Sequence, residues 1–202
     1  METQISQKDK DQIEAGIRSK YVKVAKNPEG LFEYPTGQAG LEALDYNPEL
    51  IRSLPEAVIA SYCGAGNPFS LGPINEGERV LDIGCGAGVD TILAAMIIGP
   101  SGKAFGVDIV PEMLHRAEEN LRMTYLKNVS FEKASGEKLP FEDDSFDVII
   151  SNSVINLIPD KVGTLKETIR VLKPGGRLMI SDQVMVGRLQ KDIKARLANW
   201  FQ

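Results

Sequence analysis

The sequence predicts an α/β fold with a mostly parallel, twisted sheet and helices on both faces. From residue 78 onward, apolar runs of strand length alternate with runs of helix length, a pattern typical of repeated βαβ units. A glycine-rich turn follows the first of these strands, and 202 residues suit one such domain. We therefore divide the domain into an N-terminal helical extension and cap, residues 1–78, and an α/β core, residues 79–202.

The N-terminal part is predicted to be helical and rich in loops. Residues 5–26 carry Ile13, Ile17, Tyr21 and Val24 at near-helical spacing, which predicts an amphipathic helix that either docks on the domain or closes over a ligand. Residues 31–78 are dense in glycine and proline. They predict long loops with short helices, packed as a cap over the glycine turn.

The core is predicted to alternate strands with helices. The strands are expected at 79–83, 103–108, 129–133, 146–151 and 177–182. The helices are expected at about 89–98, 111–126, 161–172 and 188–201, with the third ending at a Pro-Gly-Gly turn.

Composition excludes several classes of function. Hydrophobic residues make up 43% of the chain and charged residues 25%, close to the average for globular proteins. The formal net charge of −5 argues against a nucleic-acid partner, which requires clustered basic side chains. Two cysteines without a C-x-x-C pair and a single histidine predict neither a metal site nor a disulfide framework. No apolar run is long enough to span a membrane, so we expect no membrane partner and a cytoplasmic location.

The glycine turn has a specific spacing. Gly84, Gly86 and Gly88 alternate after Asp82, and glycines before a helix N-terminus let the backbone approach a carboxylate or phosphate closely. A dinucleotide fingerprint needs its third glycine one residue later, where this chain has Val89. The spacing therefore disfavours a nicotinamide-dependent oxidoreductase.

Small and polar residues follow four successive strands, at the edge where open parallel sheets bind ligands. They are Asp82, Asp108, Ser135, Gly136 and Asn152. Asp108 can accept hydrogen bonds from a ribose diol, or it can cap the helix that Pro111 begins. Asp82 can instead brace the backbone of the glycine turn.

Five motifs in chain order resemble those of class I S-adenosylmethionine-dependent methyltransferases. They lie at residues 80–88, 106–108, 139–141, 145–149 and 170–178. The resemblance implies a Rossmann-like fold and an enzyme that transfers the methyl group of S-adenosyl-L-methionine to a small-molecule acceptor, with S-adenosyl-L-homocysteine as product. A cofactor-binding regulatory protein without turnover is the alternative from another class.

The resemblance also implies roles for individual residues. Gly84, Gly86 and Gly88 would approach the methionine moiety, and Asp108 the ribose. Ser135 and Gly136 would lie by the adenine, with serine where the family often has aspartate. The remaining cofactor-binding residues would be Asp82, Cys85, Ile109 and Asn152. No catalytic base is identified, and the candidates for orienting the acceptor are Asn152, Ser153, Tyr34 and Tyr62.

A narrower likeness concerns the acceptor. Residues 64–68 and 151–161 are similar to segments of arsenite methyltransferases, but Ala65 and Ser153 stand where that subfamily has cysteines. Thiolates bind the soft trivalent arsenic, whereas methyl and hydroxyl groups do not. The likeness therefore implies a shared scaffold and not a shared substrate, since Cys63 alone cannot replace several thiolates.

Three further expectations concern Cys85, His115 and the end of the chain. Cys85 is interpreted as a small turn residue rather than a nucleophile, because no histidine is available to activate it, and His115 as a surface residue. The family normally adds an antiparallel strand pair after the fifth strand. The sequence leaves no room for it, so we expect this pair to be missing and the exposed sheet edge to permit a homodimer.

Overall fold

The computed structural model describes residues 6–184 and contains one five-stranded sheet in which every strand pair is parallel. The strands are β1 Arg79–Ile83, β2 Lys103–Asp108, β3 Val129–Lys133, β4 Phe146–Asn152 and β5 Leu172–Ser181. Their order across the sheet is β3-β2-β1-β4-β5. The predicted α/β fold with a Rossmann-like sheet is confirmed.

Seven α-helices surround this sheet in the described residues. They are α1 Gln7–Val24, α2 Gly37–Ala43, α3 Pro48–Arg52, α4 Glu56–Ile59, α5 Val89–Ile98, α6 Pro111–Arg122 and α7 Lys161–Val171. A short 3₁₀ helix, Pro68–Leu71, precedes β1. None of these helices is long and apolar enough to cross a membrane.

Helix α5 is apolar on nearly all sides because it lies between two layers. Ala94, Ala95 and Ile98 pack with Val80 of β1 in the core on one face of the sheet. Its other side packs against the N-terminal segment, where the buried partners are Leu41, Tyr46, Ile51, Leu54, Val58 and Tyr62. The residues before β1 therefore form a layer that covers the helix following the glycine turn.

Helix α1 docks on the domain, as its periodicity predicts. A capping box begins it, since the Ser6 side chain accepts from the Asp9 N–H while the Asp9 carboxylate accepts from the Ser6 N–H. Its buried residues Ile13 and Ile17 form a cluster with Ile109 and Leu157. Glu14, Ile17 and Tyr21 also line the main cavity, so the helix is a wall of that cavity as well as a docked element.

Two boundaries differ from the sequence prediction by more than two residues. Strand β5 begins at Leu172 rather than 177, because Leu172 already pairs with Phe146 before residues 173–176 bulge out and pairing resumes at Arg177. Gly175 takes a φ of 78° in this bulge. Helix α6 ends at Arg122 rather than near 126, and the Thr124 hydroxyl then donates to the Leu121 carbonyl. The helix expected at 188–201 lies outside the described residues.

Candidate functional site

The main cavity lies at the carboxyl ends of β1, β2 and β4, where the strand order reverses between β1 and β4. Open parallel sheets bind ligands at this position because the loops after neighbouring strands diverge there. Every residue proposed for cofactor contact, with the exception of Gly88, lines this cavity. The strand ends that the sequence singled out therefore meet at one cavity.

The glycine turn between β1 and α5 is in a conformation that only glycine adopts easily. Gly84, Gly86 and Gly88 have φ values of 73°, 52° and 79°, in the left-handed region that disfavours side chains. A Cβ at Gly84 would overlap the Val154 side chain, and one at Gly88 would lie 2.6 Å from the Phe131 ring. Gly88 thus supports packing behind the turn, while Gly84 and Gly86 face the cavity.

The Asp108 carboxylate holds the glycine turn at the end of β2. One oxygen accepts a hydrogen bond of 2.9 Å from the Gly86 N–H, and the other accepts one of 2.9 Å from the Val110 N–H. Val110, and not Asp108, is the N-cap residue of α6, so Asp108 does not cap that helix but holds the backbone that leads into it. A carboxylate has about four acceptor positions, and these backbone bonds leave Asp108 able to accept from a diol.

Asp82 and Asp90 are two buried carboxylates in the cavity wall. Asp82 accepts a hydrogen bond of 2.6 Å from the Thr91 hydroxyl, so it braces the first turn of α5 rather than the backbone of the glycine turn. Asp90 accepts from the Tyr46 hydroxyl and from the Asn152 amide, each at 2.9 Å. Burial raises the pKa of both carboxyls, that of Asp90 to about 6.

Asn152 belongs to a hydrogen-bond network that joins the cap to the core. Its amide N–H₂ donates to the Gly66 carbonyl at 2.7 Å, and its Oδ1 accepts from the Gly66 N–H at 3.1 Å. The Tyr62 hydroxyl donates its proton to the Gly66 carbonyl at 2.9 Å and lies 3.1 Å from the Tyr46 hydroxyl, whose own proton goes to Asp90. Burial raises the pKa of both phenols well above the usual value, so they act as neutral hydrogen-bonding groups.

The remaining acceptor candidates occupy different places. Ser153 lines the cavity with a φ of 61°, and its hydroxyl accepts from the Ala65 N–H at 3.0 Å. Tyr34 lines a neighbouring cavity instead, and its hydroxyl donates to the Cys63 carbonyl at 3.1 Å. The side chains of Asn152, Ser153, Tyr34 and Tyr62 therefore all bind residues of the 62–66 segment.

The opposite end of the main cavity is formed by the loop after β3. Ser135, Gly136 and Glu137 line it, and the Ser135 hydroxyl accepts from the Glu137 N–H at 3.2 Å. A Cβ at Gly136 would lie 3.0 Å from the Ile158 side chain. Gly136 therefore allows the segment after β4 to close over this end.

The wall of the main cavity is strongly acidic, and we call this cavity the acidic cavity. Its described lining residues contain five carboxylates and no lysine, arginine or histidine. The five are Glu14, Asp82, Asp90, Asp108 and Glu137. A wall of this charge attracts a cation and repels a ligand with several negative charges.

The two cysteines are unsuited to nucleophilic or thiolate chemistry. Cys85 is 8% exposed, and burial raises the pKa of its thiol well above the usual value. Burial also raises the pKa of the Cys63 thiol, to about 12. The interpretation of Cys85 as a small turn residue agrees with this environment. His115 lies on the surface, with its side chain 69% exposed beside Glu119, and no cluster of three potential metal ligands occurs among residues 6–184.

The sequence reasoning missed Asp90, Tyr46 and the cavity wall supplied by α1. Asp90 carried a usable signal, because it is a single acid in the first turn of an otherwise apolar helix directly after the glycine turn. Tyr46 carried no such signal in the sequence, since its contact with Asp90 joins positions 44 residues apart.

Comparison with known proteins identifies relatives over most of the chain. A family model described as a methyltransferase domain matches residues 74–202. An arsenite methyltransferase of Halobacterium salinarum is 34% identical over 207 residues, covering 96% of this chain and 53% of the relative. A demethylmenaquinone methyltransferase of Lactococcus lactis is 41% identical over 103 residues, covering 51% of this chain and 41% of the relative.

One solved structure is also similar to this chain in sequence and in fold. The arsenic(III) S-adenosylmethionine methyltransferase of Chlamydomonas reinhardtii is 36% identical, with a TM-score of 0.55 over 74% of this chain and 50% of that one. This chain spans about half the length of the curated relatives that it matches.

Proposed function

Because the chain belongs to the class I S-adenosylmethionine-dependent methyltransferase family, we propose that it binds S-adenosyl-L-methionine in the acidic cavity and transfers the methyl group to a small acceptor. The acidic wall beside the glycine turn is the observation that carries the proposal. S-adenosyl-L-methionine has a positive sulfonium centre and supplies an activated methyl group when it is bound. A dinucleotide has a negatively charged pyrophosphate, which the ionised carboxylates of this wall would repel.

The residues present fit the cofactor at three points. Gly84 and Gly86 line the cavity with backbone alone, and the N–H groups at the start of α5, which has no side-chain cap, suit the amino-acid carboxylate. The spare lone pairs of Asp108 suit the ribose hydroxyls. Ser135, Gly136 and Ile109 line the cavity where the adenosine would extend from the ribose.

The protein's own part in methyl transfer is to align and to exclude water. An acceptor atom must approach the methyl group in line with the departing sulfur, and holding both partners in that geometry removes an entropic barrier. The segment 62–66 covers the cavity and is fixed by Asn152 and Ser153. This arrangement keeps the reacting groups enclosed without requiring a general base.

The acceptor is proposed to be a small organic molecule and not arsenite. The relatives include enzymes named for arsenite and for demethylmenaquinone. Trivalent arsenic requires thiolates, and the two cysteines of this chain, Cys63 and Cys85, are thiols of raised pKa. The homodimer, the absence of a nucleic-acid partner, the cytoplasmic location and the division at residue 78 remain predictions.

A transfer assay tests the proposal. The chain is incubated with S-adenosyl-L-methionine carrying a labelled methyl group and with separate phenol, thiol, amine and arsenite acceptors. We expect label in at least one organic acceptor and none in arsenite. Cofactor binding without label in any acceptor would favour the regulatory alternative, and methylated arsenic would refute the acceptor assignment.

A further inference from the structure

A second cavity adjoins the acidic one and has a different chemical character. Ile17, Tyr21, Ser153 and Leu157 line both cavities, so they share a wall. The second cavity lies between α1 and the segment 30–34. We call it the aromatic cavity, because its lining includes Tyr21, Phe32 and Tyr34.

The three rings form one aromatic surface. The Phe32 ring centroid lies 5.1 Å from that of Tyr34 and 6.5 Å from that of Tyr21, at tilts of 36° and 58°. The Tyr34 hydroxyl is bound to the Cys63 carbonyl at 3.1 Å, which fixes this ring to the wall of the acidic cavity. A surface of this kind binds planar rings by tilted or offset packing.

The charges of the two cavities differ. Lys20 is the cation in the described lining of the aromatic cavity, and its Nζ lies 4.7 Å from the Phe32 ring centroid. Lys20 would repel a cationic ligand, and the Phe32 ring already makes a cation–π contact with Lys20. Glu33 supplies the one carboxylate in this described lining, and this residue is exposed to solvent. The aromatic cavity therefore favours an uncharged ring, while the acidic cavity favours a cation.

Polar groups in the lining of the aromatic cavity favour a ligand with a hydroxyl. Asn156 lines the aromatic cavity, and its Oδ1 is buried without a hydrogen-bond partner in the described part of the chain. A ligand hydroxyl can supply the missing donor. Ser153 stands between the cavities in the left-handed conformation, held by its hydroxyl at Ala65 and by its N–H at the Ser181 carbonyl. Left-handed backbone at a residue other than glycine costs free energy, and such residues cluster at ligand-binding and active sites.

We propose that the aromatic cavity is the acceptor site and that the acceptor is a phenol, an inference that rests on the proposed function. The phenolic oxygen forms the new bond to the methyl carbon while the carbon–sulfur bond breaks. The electron pair of that bond remains on sulfur, and the phenolic proton passes to water. Atoms and charge balance without an oxidant or a reductant.

The experiment measures acceptor binding separately from cofactor binding. The full chain is titrated with S-adenosyl-L-homocysteine by calorimetry. At saturation with this compound it is then titrated with 2-naphthol or with its saturated analogue decahydro-2-naphthol. We expect 2-naphthol to bind at least about tenfold more tightly than the analogue, because only the aromatic compound packs on the ring surface. With S-adenosyl-L-methionine in place of the product, mass spectrometry should detect 2-methoxynaphthalene.

Matched variants locate the site. Phe32→Leu removes one ring and should weaken 2-naphthol binding about tenfold while changing S-adenosyl-L-homocysteine affinity less than about twofold. Phe32→Tyr keeps the ring and should retain binding. Tyr125→Leu removes an aromatic side chain that is 99% exposed and should change neither affinity.

The possible failures are distinguishable. Absence of S-adenosyl-L-homocysteine binding in the unaltered chain would overturn the proposed function, and this inference with it. Normal binding of that compound, together with equal affinity for 2-naphthol and its saturated analogue, would overturn the phenol site alone. Equal loss in Phe32→Leu and Tyr125→Leu would also overturn it.

Discussion

The side-chain amide of Asn152, at the end of β4, donates a hydrogen bond of 2.9 Å to the carboxylate of Asp90 in the first turn of α5. The same amide group donates to the Gly66 carbonyl in the cap. Asp90 is only 7% exposed, and a buried carboxylate needs such donors to remain ionised. One side chain thus ties the sheet, the helix after the glycine turn and the cap together.

Removing this amide should destabilise the protein. Asn152→Ala deprives both Asp90 and the Gly66 backbone of partners, so the free energy of unfolding should fall by about 2–4 kcal/mol. Urea denaturation measures it. Asn27→Ala, which removes an exposed contact to the Glu29 N–H, is the control and should cost less than about 1 kcal/mol. Equal losses would show that the network adds no stability.

The packing behind the glycine turn should be intolerant of a Cβ. Gly88→Ala combines a φ of 79° with a contact of 2.6 Å to Phe131, whereas Gly175→Ala has a φ of 78° and nothing within 4 Å. Backbone strain alone costs about 1–2 kcal/mol. Gly88→Ala should therefore lower the free energy of unfolding by at least about 1 kcal/mol more than Gly175→Ala. A smaller effect in Gly88→Ala would contradict the observed packing.

Asp108 should matter equally for cofactor and product, because both contain the ribose. Asp108→Asn should weaken S-adenosyl-L-methionine and S-adenosyl-L-homocysteine alike, by about tenfold, since a hydrogen bond to a charged acceptor is lost. Calorimetry gives both affinities. Asp144→Asn changes an exposed carboxylate with a φ of 52° and should leave them unchanged. A loss confined to the methylated cofactor would argue against ribose contact.

The pKa of Asp90 predicts how cofactor affinity depends on pH. A sulfonium cation favours ionised Asp90, so affinity for S-adenosyl-L-methionine should fall as pH drops through about 6. Affinity for S-adenosyl-L-homocysteine, which lacks that charge, should fall less. Calorimetry between about pH 5.5 and 7.5 compares the two, and Asp90→Asn should remove the difference. Parallel profiles in the unaltered protein would refute the role of Asp90.

For the unliganded protein, the pH dependence has the opposite sign. The pKa of Asp90 is raised on folding, so the folded chain binds its proton more tightly than the unfolded chain does. The stability contributed by this proton is present below the unfolded pKa and is lost as pH rises through about 6. Urea denaturation across this range should show the loss in the unaltered chain and not in Asp90→Asn.

Local signals were sufficient for the fold and for the strand ends. Alternating apolar runs identified β1 at Arg79–Ile83 and α5 at Val89–Ile98, because these elements follow directly from residue pattern and glycine spacing. The predicted start of β5 was wrong by five residues. Leu172 pairs with Phe146 in a tertiary contact, and the Pro-Gly-Gly turn in the sequence gives no sign of this pairing.

The interior of the site required coordinates. Tyr46, Asp90 and Asn152 meet across up to 106 positions of sequence, and no local periodicity encodes such a meeting. The same holds for the aromatic cavity, where Tyr21 of α1 faces a loop that no motif distinguishes. Residue types at strand ends predicted which side chains line the cavity, but not which of them are bonded to one another.

The most direct test of the central claim is a calorimetric titration of the full chain with S-adenosyl-L-methionine, S-adenosyl-L-homocysteine and NAD. The acidic cavity predicts saturable binding of both adenosyl compounds and none of NAD, whose pyrophosphate the ionised carboxylates of the wall repel. Binding of NAD with no heat from either adenosyl compound would contradict the account.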